Sequence, residues 1–178
     1  QTARARNNLA LLHESQGNFR EAEPLYNTSY EHIVAELGNT HPNAIAMQNN
    51  LAFLYMMMEE YDAAAALFAD LIERWSISVG AEHQDALKTR NNLGRAYHRL
   101  NRLDEAEQTV SDALVARRGT LGEKHIDTIR SRIDLGAIYL DQGRLGDATN
   151  ELTLALKLAE EEIGEQHPYT FEALNNLA

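Results

Sequence analysis

The sequence repeats itself every 42 residues along its length of 178 residues. The motif Asn7-Asn8-Leu9-Ala10 returns in one register at residues 49–52, 91–94, 133–136 and 175–178, with Ile133-Asp134 in place of the Asn pair in the fourth copy. A second motif, Leu37-Gly38 followed by His41, recurs in the same register at residues 79–83, 121–125 and 163–167. Because two independent motifs keep one spacing, we predict an array of equal structural units.

Each unit contains two stretches with apolar residues at helical spacing, separated by a break that carries Gly or Asn. In the third unit these stretches predict helices over about residues 85–100 and 104–121, and the second has a core-facing stripe at Ala106, Val110, Ala113, Leu114 and Arg117. A single helix hairpin cannot cover both of its apolar faces, so neighbouring hairpins must stack. The predicted fold is all-α, an α-solenoid of stacked helix-turn-helix hairpins.

The predicted array is a single domain over residues 1–178. Its units cover about residues 1–42, 43–84, 85–126 and 127–168, followed by a truncated fifth unit over 169–178. Gly94 and Gly136 occupy positions where helices approach closely, since Gly costs about 1 kcal/mol relative to Ala inside a helix unless packing requires it. Gly at the end of each second helix is typical of helix termination.

The first helices carry Leu, a small residue and then Tyr, as in Leu51-Ala52 with Tyr55 and Leu93-Gly94 with Tyr97. This pattern resembles the tetratricopeptide repeat (TPR), whose usual unit has 34 residues. The longer unit, with Asn-Asn-Leu-Ala and Leu-Gly-x-x-His-Pro, is similar to the kinesin light chain type and to arrays of NLR-like signalling ATPases of fungi. The resemblance implies a right-handed superhelix in which the first helices line a concave groove. His13 departs from the pattern, since it replaces the Tyr.

Composition and motifs exclude several classes of function. The net charge of −11 argues against nucleic-acid binding, which needs cations opposite phosphates. The apolar runs are far shorter than the roughly 20 residues of a membrane span. Without Cys there is no thiol chemistry, and a cytoplasmic location is expected. No phosphate-binding or nucleophile motif occurs, so we predict neither an enzyme nor a cofactor.

Four of the seven histidines recur once per unit, at His41, His83, His125 and His167. Positions one repeat apart are too distant to share a metal, whose bonds to nitrogen are about 2.0–2.1 Å. We therefore expect a structural role in the loop for these side chains and no metal site.

The predicted groove is basic at its centre. Residues 88–132 hold ten of the sixteen Lys and Arg but only six acidic residues. Lys88, Asn91, Asn92, Arg95 and Arg99 share the helix face opposite Leu93 and Tyr97, so this face is expected to lie outside the core and to face the groove, with Arg130 of the next unit beside it. Simple solvation of these charges is the alternative.

One unit earlier the same face becomes apolar, with Phe53, Met56 and Met57, and the first unit places Leu11 at the position of Phe53. Methionine is flexible and polarisable, which suits an adaptable pocket. Four asparagines match the family's inner-groove Asn, namely Asn8, Asn50, Asn92 and Asn176, and the resemblance implies that they clamp a peptide backbone. For Asn50 and Asn92 a helix–helix hydrogen bond remains an equal alternative, and Asp134 interrupts the row and is expected to pair with Arg130.

These features predict a non-catalytic scaffold that binds an extended protein or peptide segment carrying an apolar residue and acidic residues. The alternative is a ligand-sensing or self-assembly segment of a larger NLR-like ATPase. Both ends of the sequence interrupt the repeat pattern, so exposed stacking faces and end-to-end self-association are also expected. No nucleic acid or membrane is predicted as a partner.

Overall fold

The computed structural model describes residues 2–178, and over that part of the chain it contains nine α-helices and no strand. The helices are α1 (Ala3–Ser15), α2 (Phe19–Leu37), α3 (Pro42–Met57), α4 (Tyr61–Ser78), α5 (Gln84–Arg99), α6 (Leu103–Thr120), α7 (Ile126–Asp141), α8 (Leu145–Glu162) and α9 (Pro168–Leu177). The chain divides into two compact units, unit 1 (Gln1–Thr89) and unit 2 (Arg90–Ala178). The predicted all-α array of paired helices is confirmed, with α5 and α6 each one residue earlier than expected. The repeat boundaries stay a prediction.

The recurring histidines begin the first helices. In each case the imidazole Nδ1 accepts a hydrogen bond from the backbone N–H two residues later, which satisfies one of the unpaired donors of a helix N-terminus. The donors are Asn43, Asp85, Asp127 and Tyr169, and the acceptors are His41, His83, His125 and His167. The expected structural role of these histidines therefore takes the form of helix capping, and it explains their strict spacing.

The turn between the two helices of a unit needs one residue with positive φ. Gly17 and Gly143 supply it without strain, whereas Glu59 (φ 61°) and Asn101 (φ 57°) occupy the same register position with side chains. Asn tolerates this conformation better than Glu does. The break residues of the repeat are thus set by a backbone requirement.

In unit 1, the core joins the first hairpin to the next first helix. Ala10 of α1, Ala22 and Tyr26 of α2, and Leu51 and Leu54 of α3 form one buried cluster. The Tyr26 hydroxyl donates to a Glu14 carboxylate at 2.5 Å, which closes α2 onto α1. The stacking of one hairpin on the next buries the apolar faces that a single hairpin leaves open.

In unit 2, the helices α6, α7, α8 and α9 pack in sequence around two buried clusters. One includes Val110 and Ile138, and the other includes Ile133 and Leu152. At Gly94 of α5, a Cβ atom would lie 2.3 Å from Val110 Cγ2, so helix contact depends on a missing side chain there. Over residues 2–178, no helix is long and apolar enough to cross a membrane.

Replacing Gly94 with Ala is expected to lower the free energy of unfolding by about 1–3 kcal/mol, because the stiff, β-branched Val110 cannot move away cheaply. The matched control is Gly119→Ala in α6, where no atom lies within 4 Å and helix propensity alone should raise stability by up to about 1 kcal/mol. Urea unfolding measures both variants. Equal stability of the two variants would contradict the close helix contact at Gly94.

Candidate functional site

The side chains predicted to line a groove lie on the first helices, and in unit 1 they form an exposed apolar face. Leu11 of α1 is 42% exposed, and Phe53 and Met57 of α3 are 38% and 49% exposed. Asn8 is exposed on the same face of α1. We call this surface, made of Asn8, Leu11, Asn50, Phe53, Met57 and Lys88, the first-helix face of unit 1. Large apolar side chains left in solvent at regular positions are typical of a binding surface.

The asparagines of unit 1 take part in helix–helix hydrogen bonds. Asn50 Nδ2 donates to Asn7 Oδ1 at 3.2 Å, which joins α3 to α1. Thr89 Oγ1 donates to Asn49 Oδ1 at 3.3 Å, which joins α5 to α3. Asn50 thus takes part in helix packing through one N–H group. The other expected role, a contact with the backbone of a bound peptide, stays a prediction.

A hollow of about 230 Å³ lies beside Asn50 on this face. Its walls are Ala46, Asn49, Asn50, Trp75, Asp85, Lys88 and Thr89. Lys88 is exposed and contributes the cation, and Asp85 contributes the anion. The structure therefore brings two of the predicted residues, Asn50 and Lys88, to one small cavity of mixed polarity.

In unit 2, the predicted basic residues surround a carboxylate. Arg95 Nε lies 3.6 Å from Asp134 Oδ1, and Arg130 Nε lies 4.0 Å from Asp134 Oδ2. Arg130 also donates to the Tyr169 hydroxyl at 2.5 Å. Asn92 is half-buried and Arg99 is exposed on the same face of α5. We call Asn92, Arg95, Arg99 and Arg130 the first-helix face of unit 2, and its positive charge is partly balanced by Asp134, as the sequence predicted for Arg130.

A second carboxyl group lies near this arrangement. Desolvation and the negative charge of Asp134 raise the pKa of Glu172 in α9, and Arg95 and Arg130 oppose that shift. The face of unit 2 therefore runs from cationic side chains on α5 to an anionic side chain on α9. The sequence pattern did not single out Glu172, although this residue lies one repeat after Arg130 and two repeats after Lys88.

The prediction that Asn91 lies outside the core is wrong, since its side chain is only 2% exposed. Asn91 Nδ2 donates to Asp134 Oδ2 at 2.6 Å, and Asn91 Oδ1 accepts from Ser131 Oγ at 2.7 Å. Arg117 Nη1 donates to Ser131 Oγ at 2.6 Å and to the backbone oxygen of Asp127 at 2.9 Å. Asn92, which follows Asn91 in the motif, is half-buried, whereas Asn91 itself belongs to a buried polar network.

A family model described as "Tetratricopeptide repeat" matches residues 1–52, 43–118 and 103–161, which together cover most of the chain. The chain belongs to the tetratricopeptide repeat family. Membership accounts for the helix pairs and for the small residues at Ala10, Ala52 and Gly94. No curated protein sequence gives a significant match.

Solved structures of tetratricopeptide repeat arrays share this fold. A Podosopora anserina structure, described as a kinesin light chain with nearly identical TPR-like repeats, superposes with a TM-score of 0.82 at 22% identity, covering 98% of this chain and 82% of the other. BtubC (BKLC) from P. vanneervenii superposes with a TM-score of 0.80 at 21% identity, covering 93% of this chain and 66% of the other. The kinesin-light-chain-like form of the repeat is thereby confirmed.

Two successive repeats contain a buried hydrogen-bond network at corresponding positions, formed by different side chains. In unit 1, Trp75 Nε1 donates to Thr89 Oγ1 at 3.1 Å, and Thr89 contacts Asn49. One repeat later the corresponding residues are Arg117, Ser131 and Asn91, and they make the corresponding contacts. The sequence repeat alone carried this signal, because Arg117 aligns with Trp75.

Arg117 brings a charge into this position. Burial lowers the pKa of its guanidinium, and the negative charges of Asp127 and Asp134 oppose that shift. An arginine remains protonated in proteins, so its burial requires a nearby anion. Asp127 and Asp134 both supply negative charge, and Asp134 does so through hydrogen bonds relayed by Asn91. This gives a physical reason for Asp in the fourth copy of the motif, where the other copies have Asn.

Candidate metal ligands do not cluster in the part of the chain that the structure describes. Among residues 2–178, no three His, Asp or Glu side chains are placed to hold a metal ion. His98 contacts Asp141 of the next first helix at 2.6 Å, a pair that sequence spacing did not indicate.

The substitution Asp134→Asn is expected to lower the free energy of unfolding by about 1–3 kcal/mol, because it leaves Arg117 buried with less compensating charge. Adding Arg117→Trp should recover most of that loss, because the double variant then has the residues that Trp75 and Asn92 supply one repeat earlier. A double-mutant cycle in urea measures the coupling. Additive losses from the two substitutions would rule out the proposed charge compensation.

Proposed function

We propose that this chain is a non-catalytic scaffold that binds protein segments through the first-helix faces of its two units. The single observation that carries the proposal is the exposure of Leu11, Phe53 and Met57 at the register positions where unit 2 has arginines. Tetratricopeptide repeats serve protein interaction, and the ligand chemistry below is specific to this chain. The favoured ligand is an extended segment with an apolar residue and acidic residues.

The apolar requirement comes from unit 1. Desolvated aromatic and aliphatic contacts supply most of the affinity in a typical interface. Phe53 offers a rigid ring and Met57 a flexible thioether, so together they accept a large apolar side chain of variable shape. Asn50 and Lys88 at the adjoining hollow supply hydrogen-bond groups for the ligand's backbone or a carboxylate.

The acidic requirement comes from unit 2. The distances of Asp134 from Arg95 and Arg130 are longer than hydrogen bonds. A ligand carboxylate that approaches within hydrogen-bond distance would therefore compete well, because a guanidinium binds carboxylates through two parallel N–H groups. Arg99 and Asn92 lie on the same face and extend the surface. Charge at such a face sets selectivity and association rate more than affinity.

The experiment measures the affinity of a synthetic peptide with one aromatic residue flanked by acidic residues. Lys88→Glu with Arg95→Glu is expected to weaken binding at least about ten-fold, which corresponds to about 1.4 kcal/mol. Phe53→Ala with Met57→Ala should weaken it by a similar factor. Isothermal titration calorimetry at low and moderate salt gives both values, since exposed charges are screened by salt.

A matched control reverses two charges away from the first-helix faces. Lys124→Glu in the loop after α6 and Lys157→Glu in α8 change the net charge by the same amount, and both residues are exposed. The control should bind the peptide nearly as wild type does. Equal weakening in the control and in the Lys88 and Arg95 variant would reduce the effect to net charge and refute the proposed faces.

End-to-end self-association is a second candidate. Phe171 and Leu174 of α9 are each 50% exposed, whereas Ile129 and Leu87, at the register position of Phe171, are fully buried. An uncovered apolar face of this kind favours contact with another copy. The related idea of an NLR-like signalling ATPase stays a prediction, because the solved structures described above are kinesin-light-chain-like.

For this candidate, static light scattering across a dilution series is expected to show a mass that rises with concentration. Phe171→Glu with Leu174→Glu should abolish the rise by placing charges on the face. The control is Ile77→Glu with Val115→Glu, which changes two exposed apolar residues elsewhere. A constant monomer mass of the wild type would exclude self-association.

A further inference from the structure

Unit 1 has a second candidate surface on the side of its second helices. A shallow groove of about 430 Å³ is lined by Gln48, Leu51, Tyr55, Ala63, Ala66, Leu67 and Asp70, which belong to α3 and α4. Two contacts place α2 along the opposite side of this groove. Tyr55 donates to Glu23 at 2.9 Å, and Arg74 donates to the Tyr30 hydroxyl at 2.8 Å. We call this surface the second-helix groove.

The groove is open because small and apolar side chains face it. Ala63 and Ala66 are exposed on α4, and Leu67 is only half-buried although it contacts the core. Its floor consists of Leu51 and the ring of Tyr55. Ala66 and Leu67 thus leave apolar surface in water on the side of the unit away from the first-helix face.

Unit 2 shows what the same positions look like without such a groove. Two repeats later, Gln48 corresponds to Arg132 and Leu67 corresponds to Glu151. Arg132 Nη1 donates to Glu151 at 2.5 Å, so an ion pair joins α7 to α8 at the place where unit 1 has an amide and a leucine. The apolar groove is therefore a property of unit 1 and is not required by the repeat.

Charges around the groove are mostly negative. Burial is the largest cause that raises the pKa of the Tyr55 phenol, and the nearby carboxylates of Glu23 and Glu60 raise it further, to about 12. Asp70 lies on the wall of the groove and pairs with Arg74 at 2.6 Å. Arg74 also donates to Gln48 at 2.6 Å, so the cation at this end of the groove is already bound. Unit 1 as a whole has five Lys and Arg against twelve Asp and Glu.

We propose that the second-helix groove docks a basic protein segment that inserts one large aliphatic or aromatic side chain between α2 and α4. The apolar floor desolvates that side chain, and the carboxylates of Glu23, Glu60 and Asp70 attract the flanking cations. This surface is separate from the first-helix faces, so the inference does not rest on the function proposed above. The charge of the ligand distinguishes the two surfaces, since the first-helix faces are proposed to bind an acidic segment and the second-helix groove a basic one.

The test uses a short synthetic peptide with a single Leu flanked by lysines, labelled for fluorescence anisotropy. Its affinity for the wild-type chain should fall at least ten-fold when the Leu is replaced by Ser or the lysines by glutamates. Raising the salt to about 0.5 M should also weaken binding, because charges separated by more than a few ångströms are then screened.

Two substitutions that copy the third repeat fill the groove or remove its apolar surface. Ala66→Gln introduces the residue that the third repeat has at position 108, and Leu67→Thr introduces the residue that it has at position 109. Each is expected to weaken binding of the lysine peptide at least ten-fold. The control is Leu154→Thr, which makes the same change at an exposed leucine of α8 and should leave the affinity unchanged.

Thermal unfolding of each variant identifies a loss of binding that comes from misfolding. Should Leu67→Thr lower the melting temperature, Ala66→Gln decides alone, because Ala66 is exposed. Failure of the wild type to bind the lysine peptide, or equal affinity in Ala66→Gln, would overturn the proposal. Dimerisation of the wild type that the groove variants abolish would also overturn it, since the occupant would then be a second copy.

Discussion

The array depends on one buried contact. It is made where the second helix of a repeat meets the first helices of its own repeat and of the following one. Trp75 fills this position in unit 1, with its indole N–H on Thr89. In unit 2 the position holds Arg117, whose guanidinium contacts Ser131 and Asn91. Both side chains join successive first helices through a polar atom at the end of a large side chain. Stacking of this kind buries what a single hairpin cannot.

This contact also shapes the proposed binding surface. Asp127 and Asp134 balance the charge of Arg117, and Asp134 in turn lies between Arg95 and Arg130. A change in the core therefore reaches the first-helix face of unit 2 and reduces its net positive charge. Unit 1 has no such charge, and its face instead exposes Phe53 and Met57. The two faces therefore differ both in their exposed side chains and in the core behind them.

The two sides of unit 1 are also chemically distinct. The first-helix face offers apolar side chains next to Lys88, and the second-helix groove offers apolar side chains among carboxylates. The two proposals therefore assign ligands of opposite charge to the two surfaces. The pair Arg132 and Glu151 removes the second surface from unit 2 by joining the helices that would border it.

The sequence by itself determined the architecture, since a period of 42 residues with helical apolar spacing leaves few alternatives to stacked hairpins. It also indicated a structural role for residues such as His41, without specifying helix capping, and it predicted the pairing of Arg130 with Asp134 at a separation of four residues. Such features are local, and helix geometry alone relates the residues concerned. Tertiary structure decided the burial of Asn91, the place of Glu172 and the groove lined by α3 and α4. These depend on which side chains of different helices meet, and contacts between residues about 40 positions apart are set by packing that a single helix pattern does not contain.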